Sequence, residues 1–578
     1  MELSTSRPRV IGWLRSAAIL DGDWGTSIAY VLGIAFYLAN YNSGLHLLMM
    51  LLLTAMIAGN YITICRLYPG GGGVYSSVSH RSKILAVIGA LLLSADYVVT
   101  ASLSVLDACH YLALGHPEIW AIGIIMAIGA LNWFGPRHAG SLAIIISTAT
   151  LLALIALVVV SFPSATRHVS LEPAPGGFDV NWRIFVGIIL SISGIEAISN
   201  MTGVMKDPGR SSRRAILVVL AKISVVTIIL GLAMLALPHL DPAAHKEDMI
   251  RFLGETYIGK WFGALIGIVL GFLLISAGNT AIIDLVSVQF LMSVDGELPR
   301  NLRLLNKFGV PVIPLVVATL IPVCVLLVVH DVITLSHLYA IGVVGAILIN
   351  IGSTGSDPEI TMSRWMRVFM LLSAAILFFV ETTIAIEKTE ALIFASIVLV
   401  LGLAAREVGR RQAIAARAVR DALPTPVAGM AAGAARPGPQ VSMSFSSKIL
   451  VAVRSGSENL LRQACEDAKL RNAFLFVLQI KQVAVFGLLP ETVLEEPTNN
   501  RQWIDRICEE FKIPYRVMSI VSTEIGYTIA EHAATLGVDR LIVGATQRSL
   551  VEKALRGDVM RRVSALLPEE IQLAIYRT

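Results

Sequence analysis

Up to residue 405 the chain returns repeatedly to apolar runs long enough to cross a bilayer, and this constrains its fold more than anything else. A helical span needs about twenty apolar residues, and about twelve such runs occur. They lie near 17–40, 44–66, 85–113, 118–134, 139–162, 181–205, 213–237, 259–293, 311–329, 332–351, 366–386 and 389–405. Hydrocarbon offers the backbone no water to bond, so these runs must be helices. Composition agrees: 55% hydrophobic, 15% charged and a mean hydropathy of +0.72 exclude an ordinary soluble enzyme. The first run is too long for a signal-peptide core and lacks a small-residue cleavage site, so no cleaved leader is expected. The 259–293 run exceeds one span, so its helix tilts or extends past the membrane.

Basic residues occupy alternate connections. Arg7, Arg9 and Arg15 come first, then Arg66, Arg81 and Lys83, then Arg137. Lys206, Arg210, Arg213 and Arg214 follow, then Arg300, Arg303 and Lys307, then Arg364 and Arg367. The intervening loops, such as 40–44 and 110–117, are poor in Lys and Arg. The positive-inside rule then puts both termini in the cytoplasm of a multi-pass, bacterial cell-membrane protein. The net charge of +5 therefore reflects topology, with no nucleic-acid partner. Cys65, Cys109, Cys324, Cys465 and Cys508 show neither metal nor disulfide spacing and read as reduced thiols.

Against this background the acids stand out, because a carboxylate at bilayer depth is costly and usually marks a substrate or ion path. Asp23 lies in the first run, seven residues before Tyr30, so both project from one helix face. Gly22 and Gly25 flank it and permit a local break, which frees backbone carbonyls for a cation. Asp96, Thr100 and Ser104 form one stripe in the third run, bordered by Tyr97, and Asp107 continues it outward toward the interface. In the sixth run Ser193-Gly-Ile-Glu196-Ala-Ile-Ser-Asn200 again joins an acid to a glycine break. Broken helices at matching positions of two halves mark a transporter site. Tyr339 stands in the tenth run.

Carboxylate, phenol, hydroxyl and carbonyl oxygens suit a hard cation. A permease that binds amino acids presents bare N–H groups at such a break, and Asp23 would repel a carboxylate placed there. A cationic amine could still use Asp23 and Asp96 as counter-charges, so an amino-acid or amine permease stays open as the alternative. A transport-inactive sensor is a third reading. No nucleophile–base pair points to an enzyme, and no catalytic residue or required cofactor is assigned.

Residues 1–405 resemble the amino acid–polyamine–organocation (APC) superfamily, with its LeuT-like 5+5 inverted repeat plus two helices, all α-helical. Within it they look most like the KUP-type, KimA-like potassium importers. The resemblance rests on Asp23 with Ala29-Tyr30, Asp96-Tyr97 with Thr100 and Ser104, and the Ser193–Asn200 segment. Lys206-Asp-Pro, Leu338-Tyr339-Ala-Ile-Gly342 and the Tyr68-Pro-Gly-Gly-Gly-Gly73 loop complete it. It implies that Asp23, Tyr30, Asp96, Tyr97, Thr100, Ser104, Ser193 and Tyr339 line a potassium path, with Asp23 and Asp96 as the charged ligands. It further implies that Glu196 serves proton coupling, giving K+/H+ symport. Trp24 and Gly25 depart from the family's usual first-span run, and Ser193 stands where a threonine is expected.

From Arg406 the composition changes. Arg406–Arg420 reads as a basic helix at the inner leaflet, and 422–439 as an Ala/Pro/Gly linker, so 406–446 separates two domains. Strands at Lys448–Val453, Ala473–Gln479, Tyr515–Val521, Asp539–Ala545 and Ile571–Tyr576 alternate with helices, which predicts a parallel α/β sheet. Residues 447–578 resemble a cytoplasmic universal stress protein domain. The family's nucleotide signature keeps its spacing at Gly544-Ala-Thr-Gln547 and Gly557-Asp558, although Gln547 replaces a glycine, Asp558 a hydroxyl, and Arg454 the usual acid after the first strand. The resemblance implies ATP or cyclic di-AMP binding through Gly544, Gln547 and Gly557, or a homodimerising module that no longer binds ATP.

Overall fold

The computed structural model describes residues 11–135, 139–167, 176–306, 308–422, 447–454, 457–483, 502–522, 524–545 and 559–576. Up to residue 422 they are helical. The order is α1 (Trp13–Asp21), α2 (Ser27–Ala39), α3 (Ser43–Leu67), α4 (Gly73–Ser79), α5 (Lys83–Tyr111), α6 (Pro117–Asn132), α7 (Ala139–Arg167), α8 (Phe178–Gly187) and α9 (Ala197–Met201). There follow α10 (Pro208–Leu235), α11 (Met249–Tyr257), α12 (Lys260–Val294), α13 (Val312–Val328), α14 (Val332–Ser356), α15 (Arg364–Glu387) and α16 (Thr389–Ala422).

Among the described residues eight helical segments are long and apolar enough to cross a membrane, fewer than the about twelve apolar runs read by length. The difference has three sources. The segment Trp24–Leu67 holds two runs and bends at Asn40, whose φ is 50°. Helices α6 and α13 are shorter apolar helices. The sixth run is broken into α8, a 3-10 turn at Ile189–Ile192, α9 and a second 3-10 turn at Thr202–Val204.

Caps set several helix starts. Ser82 accepts from Leu85 N, Asp207 from Arg210 N with Pro208 in the first turn, Asp331 from Thr334 N, and Ser363 from Met366 N. Each such cap is worth about 1 kcal/mol. Helix α12 is one unbroken rod of 35 residues, with no break to accommodate its length. At 1.5 Å per residue it is about 52 Å long, well beyond the bilayer's hydrocarbon. It packs along α5, which is also flanked by α14. The expected separate basic helix at Arg406 is instead a continuation of α16, and Arg406 Nε sits 2.6 Å from Glu297 Oε2.

The tail has five strands, β1 (Ser447–Val453), β2 (Ala473–Gln482), β3 (Tyr515–Ser522), β4 (Arg540–Gly544) and β5 (Gln572–Tyr576), all parallel in the order β3-β2-β1-β4-β5. Helices α17 (Glu458–Leu470), α18 (Gln502–Phe511), α19 (Ile525–Leu536) and α20 (Val559–Leu566) alternate with them. The sheet separates two apolar layers, one around Val451, Leu461 and Ile507, the other around Leu450, Leu541 and Ala533. Buried Cys465 and Cys508 touch across the first layer as free thiols. At the end of β2, Val483 packs against Phe290 and Val294 of α12. Of the proposed linker, 422–439, Ala422 is the last residue of α16 and the rest lies outside the described residues.

Candidate functional site

Two interrupted helices make the site. Helix α1 stops at Asp21, and the chain restarts through a 3-10 turn, Trp24–Thr26, into α2. The sixth run stops at Ile192 and restarts at α9, with Ser193–Glu196 between. The breaks touch backbone to backbone at Gly194, whose φ of +91° favours glycine. A Cβ there would lie 2.5 Å from Trp24 N and 2.9 Å from the Asp23 carbonyl carbon. The glycine loop supports the second break: a Cβ on Gly73 would meet Asn200 Oδ1 at 2.2 Å, and one on Gly203 would meet Gly70 O at 2.3 Å.

The breaks gather acids. Asp23, Asp96 and Glu196 are all buried, and Asp23 lies within electrostatic reach of Glu196, as does Asp96 of both. A fourth buried acid, Asp284 of α12, faces Asp23 and Glu196. None of the four forms an ion pair among the described residues. Asp23 Oδ2 and Asp96 Oδ2 are without a hydrogen-bond partner among the described residues. The Glu196 carboxylate accepts from Gly194 N at 3.1 and 3.2 Å.

Neutral oxygens surround these acids. Thr100 Oγ1 donates to Asp96 O at 2.9 Å and reaches Asp96 Oδ1 at 3.4 Å. Ser193 Oγ lies beside Asp96 and Tyr339. Tyr30 faces Tyr339 and Thr26. Tyr97 OH accepts from Asn200 Nδ2 at 2.8 Å, and the same amide reaches Asp284 Oδ2 at 3.4 Å. Tyr339 is placed by Gly342, one turn on, where a Cβ would lie 2.9 Å from Asp96 N. Ser104 is buried further along the α5 stripe.

Two expectations need correction. The carbonyls freed at the first break are largely taken: Asp23 O accepts from Thr26 N and Thr26 Oγ1, and Trp24 O from Ser27 Oγ at 2.8 Å. Asp107 does not reach an interface but is fully buried, with neither carboxylate oxygen partnered. Among the described residues no three His, Cys, Asp or Glu side chains converge as a metal site, so a cation here would rest on a mixed set of phenols, hydroxyls and carboxylates.

Sequence reasoning missed Asp284 and an ion pair beside the site. The signal that marks Asp284 is the one that marks Asp23, an acid within an apolar run, here 259–293. Asp21, the last residue of α1, receives Lys222 Nζ of α10 at 2.6 and 2.8 Å and Ser147 Oγ of α7 at 2.6 Å. Both members of the pair are buried, with side chains 7% and 5% exposed. A Cβ on Gly25 would fall 2.1 Å from Asp21 Oδ1, so that glycine admits the acid.

In the tail, Gly544 ends β4 beside the end of β1, since Val543 pairs with Ala452. Arg454 follows β1 at the same edge, and its N–H meets Ser457 Oγ at 3.3 Å. This edge is where strand order reverses, the usual ligand crevice of such sheets. Gln547, Gly557 and Asp558 lie outside the described residues.

Comparison with known proteins assigns the two parts. Residues 446–568 match the family model of the universal stress protein family. A crystal structure of a universal stress protein in complex with cAMP aligns at 18% identity and a TM-score of 0.19, covering 23% of this chain and 97% of that one. Residues 11–404 match the amino acid permease model. That match takes in more than half of the chain and both helix breaks, and by it the chain belongs to the amino acid permease family.

Proposed function

We propose that the chain imports potassium across the cell membrane by symport with protons. The observation that carries this reading is the set of four buried carboxylates, Asp23, Asp96, Glu196 and Asp284, with no Lys, Arg or His paired to them among the described residues. Acids in hydrocarbon cost about 2.5–3.5 kcal/mol each even on the mildest scale. Such a group is relieved by taking up cations or protons from outside the protein. Phenol and hydroxyl oxygens complete a shell suited to a large monovalent cation. Glu196, held by the Gly194 N–H at the second break, is positioned to exchange a proton as the break opens and closes.

The basic connections put both termini in the cytoplasm. The tail then lies at the inner face, where it would regulate flux by binding an adenine nucleotide at the Gly544 edge, or pair two copies.

An amino acid or amine as cargo is the second reading, and the family match favours keeping it. Uptake of ⁸⁶Rb+ into proteoliposomes, driven by an imposed pH gradient and competed by K+, amines or amino acids, separates the two. Asp96→Asn should lower uptake about a hundredfold, as expected for losing a contact worth ~2.7 kcal/mol. Rb+ uptake at the wild-type level in Asp96→Asn defeats the site assignment. Uptake indifferent to the pH gradient defeats proton coupling, and competition by amines alone moves the cargo to the second reading.

A further inference from the structure

Asp107 sits on α5 eleven residues beyond Asp96. That is about three turns and ~16 Å, so the two carboxylates leave one helix face but are too far apart to share an ion. Asp107 is 0% exposed, and among the described residues neither of its oxygens has a hydrogen-bond partner. The nearby phenol of Tyr111 is committed, donating to Ala29 O at 2.6 Å. A buried carboxylate without a single donor is unstable as it stands, and requires a cation or proton from elsewhere.

Tyr30 lies within electrostatic reach of both Asp23 and Asp107. Asp107 is also within electrostatic reach of Glu247 and Asp248, whose side chains are 23% and 31% exposed. The loop bearing them is seated on α2, where a Cβ on Gly33 would meet Lys246 O at 2.3 Å. The basic side chains of this rim are already engaged. His110 Nδ1 lies 3.2 Å from Glu247 and His245 Nδ1 3.0 Å from Asp248, while Lys246 Nζ lies 3.1 Å from Asp331. None of them forms an ion pair with Asp107.

We propose that Asp107 is a second, outer cation site, a station that receives a monovalent cation from the Glu247–Asp248 rim and passes it by Tyr30 to Asp23. This rests on the reading of the central cluster as a cation site. In proteoliposomes, Asp107→Asn should raise the half-saturating Rb+ concentration about tenfold, with Asp107→Glu closer to wild type. The wild-type protein gives a readout independent of mutant folding. Carbodiimide should label Asp107, located by mass spectrometry, and Rb+ should protect it while choline does not. Rb+ transport by the wild type with labelling of Asp107 indifferent to Rb+ overturns the outer site alone. Wild-type protein that neither transports nor binds Rb+ overturns the central reading and the outer site together.

Discussion

Asp21 and Asp23 are two residues apart in the same apolar run, yet they meet opposite surroundings. Asp21, at the end of α1, is closed off by the Lys222 ammonium and the Ser147 hydroxyl. Asp23, just past the break, has one oxygen without a partner and faces two further carboxylates. Both acids are buried, so burial does not distinguish them. Compensation does. An acid neutralised by a fixed ammonium holds α1 against α10 and α7 and has no need of a mobile charge. An acid left uncompensated among other acids creates a demand that only a cation or proton from outside can meet.

The comparison can be broken from the side of the pair. Removing one partner of a buried ion pair leaves the other charge stranded, at a cost of about 3–5 kcal/mol. Lys222→Ala should therefore lower the apparent melting temperature in detergent more than any change in the acid cluster. Asp21→Asn combined with Lys222→Met should recover most of the loss, because replacing the whole pair removes the stranded charge. If Lys222→Ala melts like wild type, Asp21 is not held by that pair, and the contrast with Asp23 collapses.

From the other side, Asp23→Asn removes a carboxylate that no Lys, Arg or His neutralises among the described residues. Its melting temperature should equal or exceed that of wild type, since desolvation and repulsion by Glu196 and Asp284 are relieved together. Rb+ uptake should nevertheless fall about a hundredfold, the loss of a contact worth ~2.7 kcal/mol. Melting at or below the temperature of Lys222→Ala would reveal a structural partner for Asp23, and the two acids would then differ only in degree.

How much of this was legible depended on how far apart in the chain the determinants lie. The breaks were readable because glycine and acid are neighbours, as in Gly22-Asp23 and Gly194-Ile-Glu196. The tail strands were readable to within a few residues, because buried parallel strands appear as short apolar runs bounded by polar residues. The pairing of Asp21 with Lys222 joins positions 201 residues apart, and no local pattern encodes it. The contact of Gly194 with Trp24 is equally non-local, although the need for a glycine there was visible as a break. Asp107 shows the limit most plainly. Its stripe position was evident, but whether it ends in water or in the core depends on how the 241–248 segment seats against α2.

Asp284 gives the smallest and finest test. Unlike Asp23, it has a neighbouring amide, Asn200 Nδ2 at 3.4 Å, and the Tyr97 phenol beside it, so part of its charge is already met by neutral donors. It thus stands between the compensated Asp21 and the uncompensated Asp23. Asp284→Asn should leave the melting temperature near wild type and raise the half-saturating Rb+ concentration about tenfold, clearly less than Asp23→Asn changes uptake. Asn200→Ala should move it in the same direction, since it frees Tyr97 OH from its donor and leaves Asp284 without its amide. A loss as large as that of Asp23→Asn would mean that the neutral donors do not offset the charge. No change at all would place Asp284 outside the cation's path and reduce the cluster to the three acids of the two broken helices and α5.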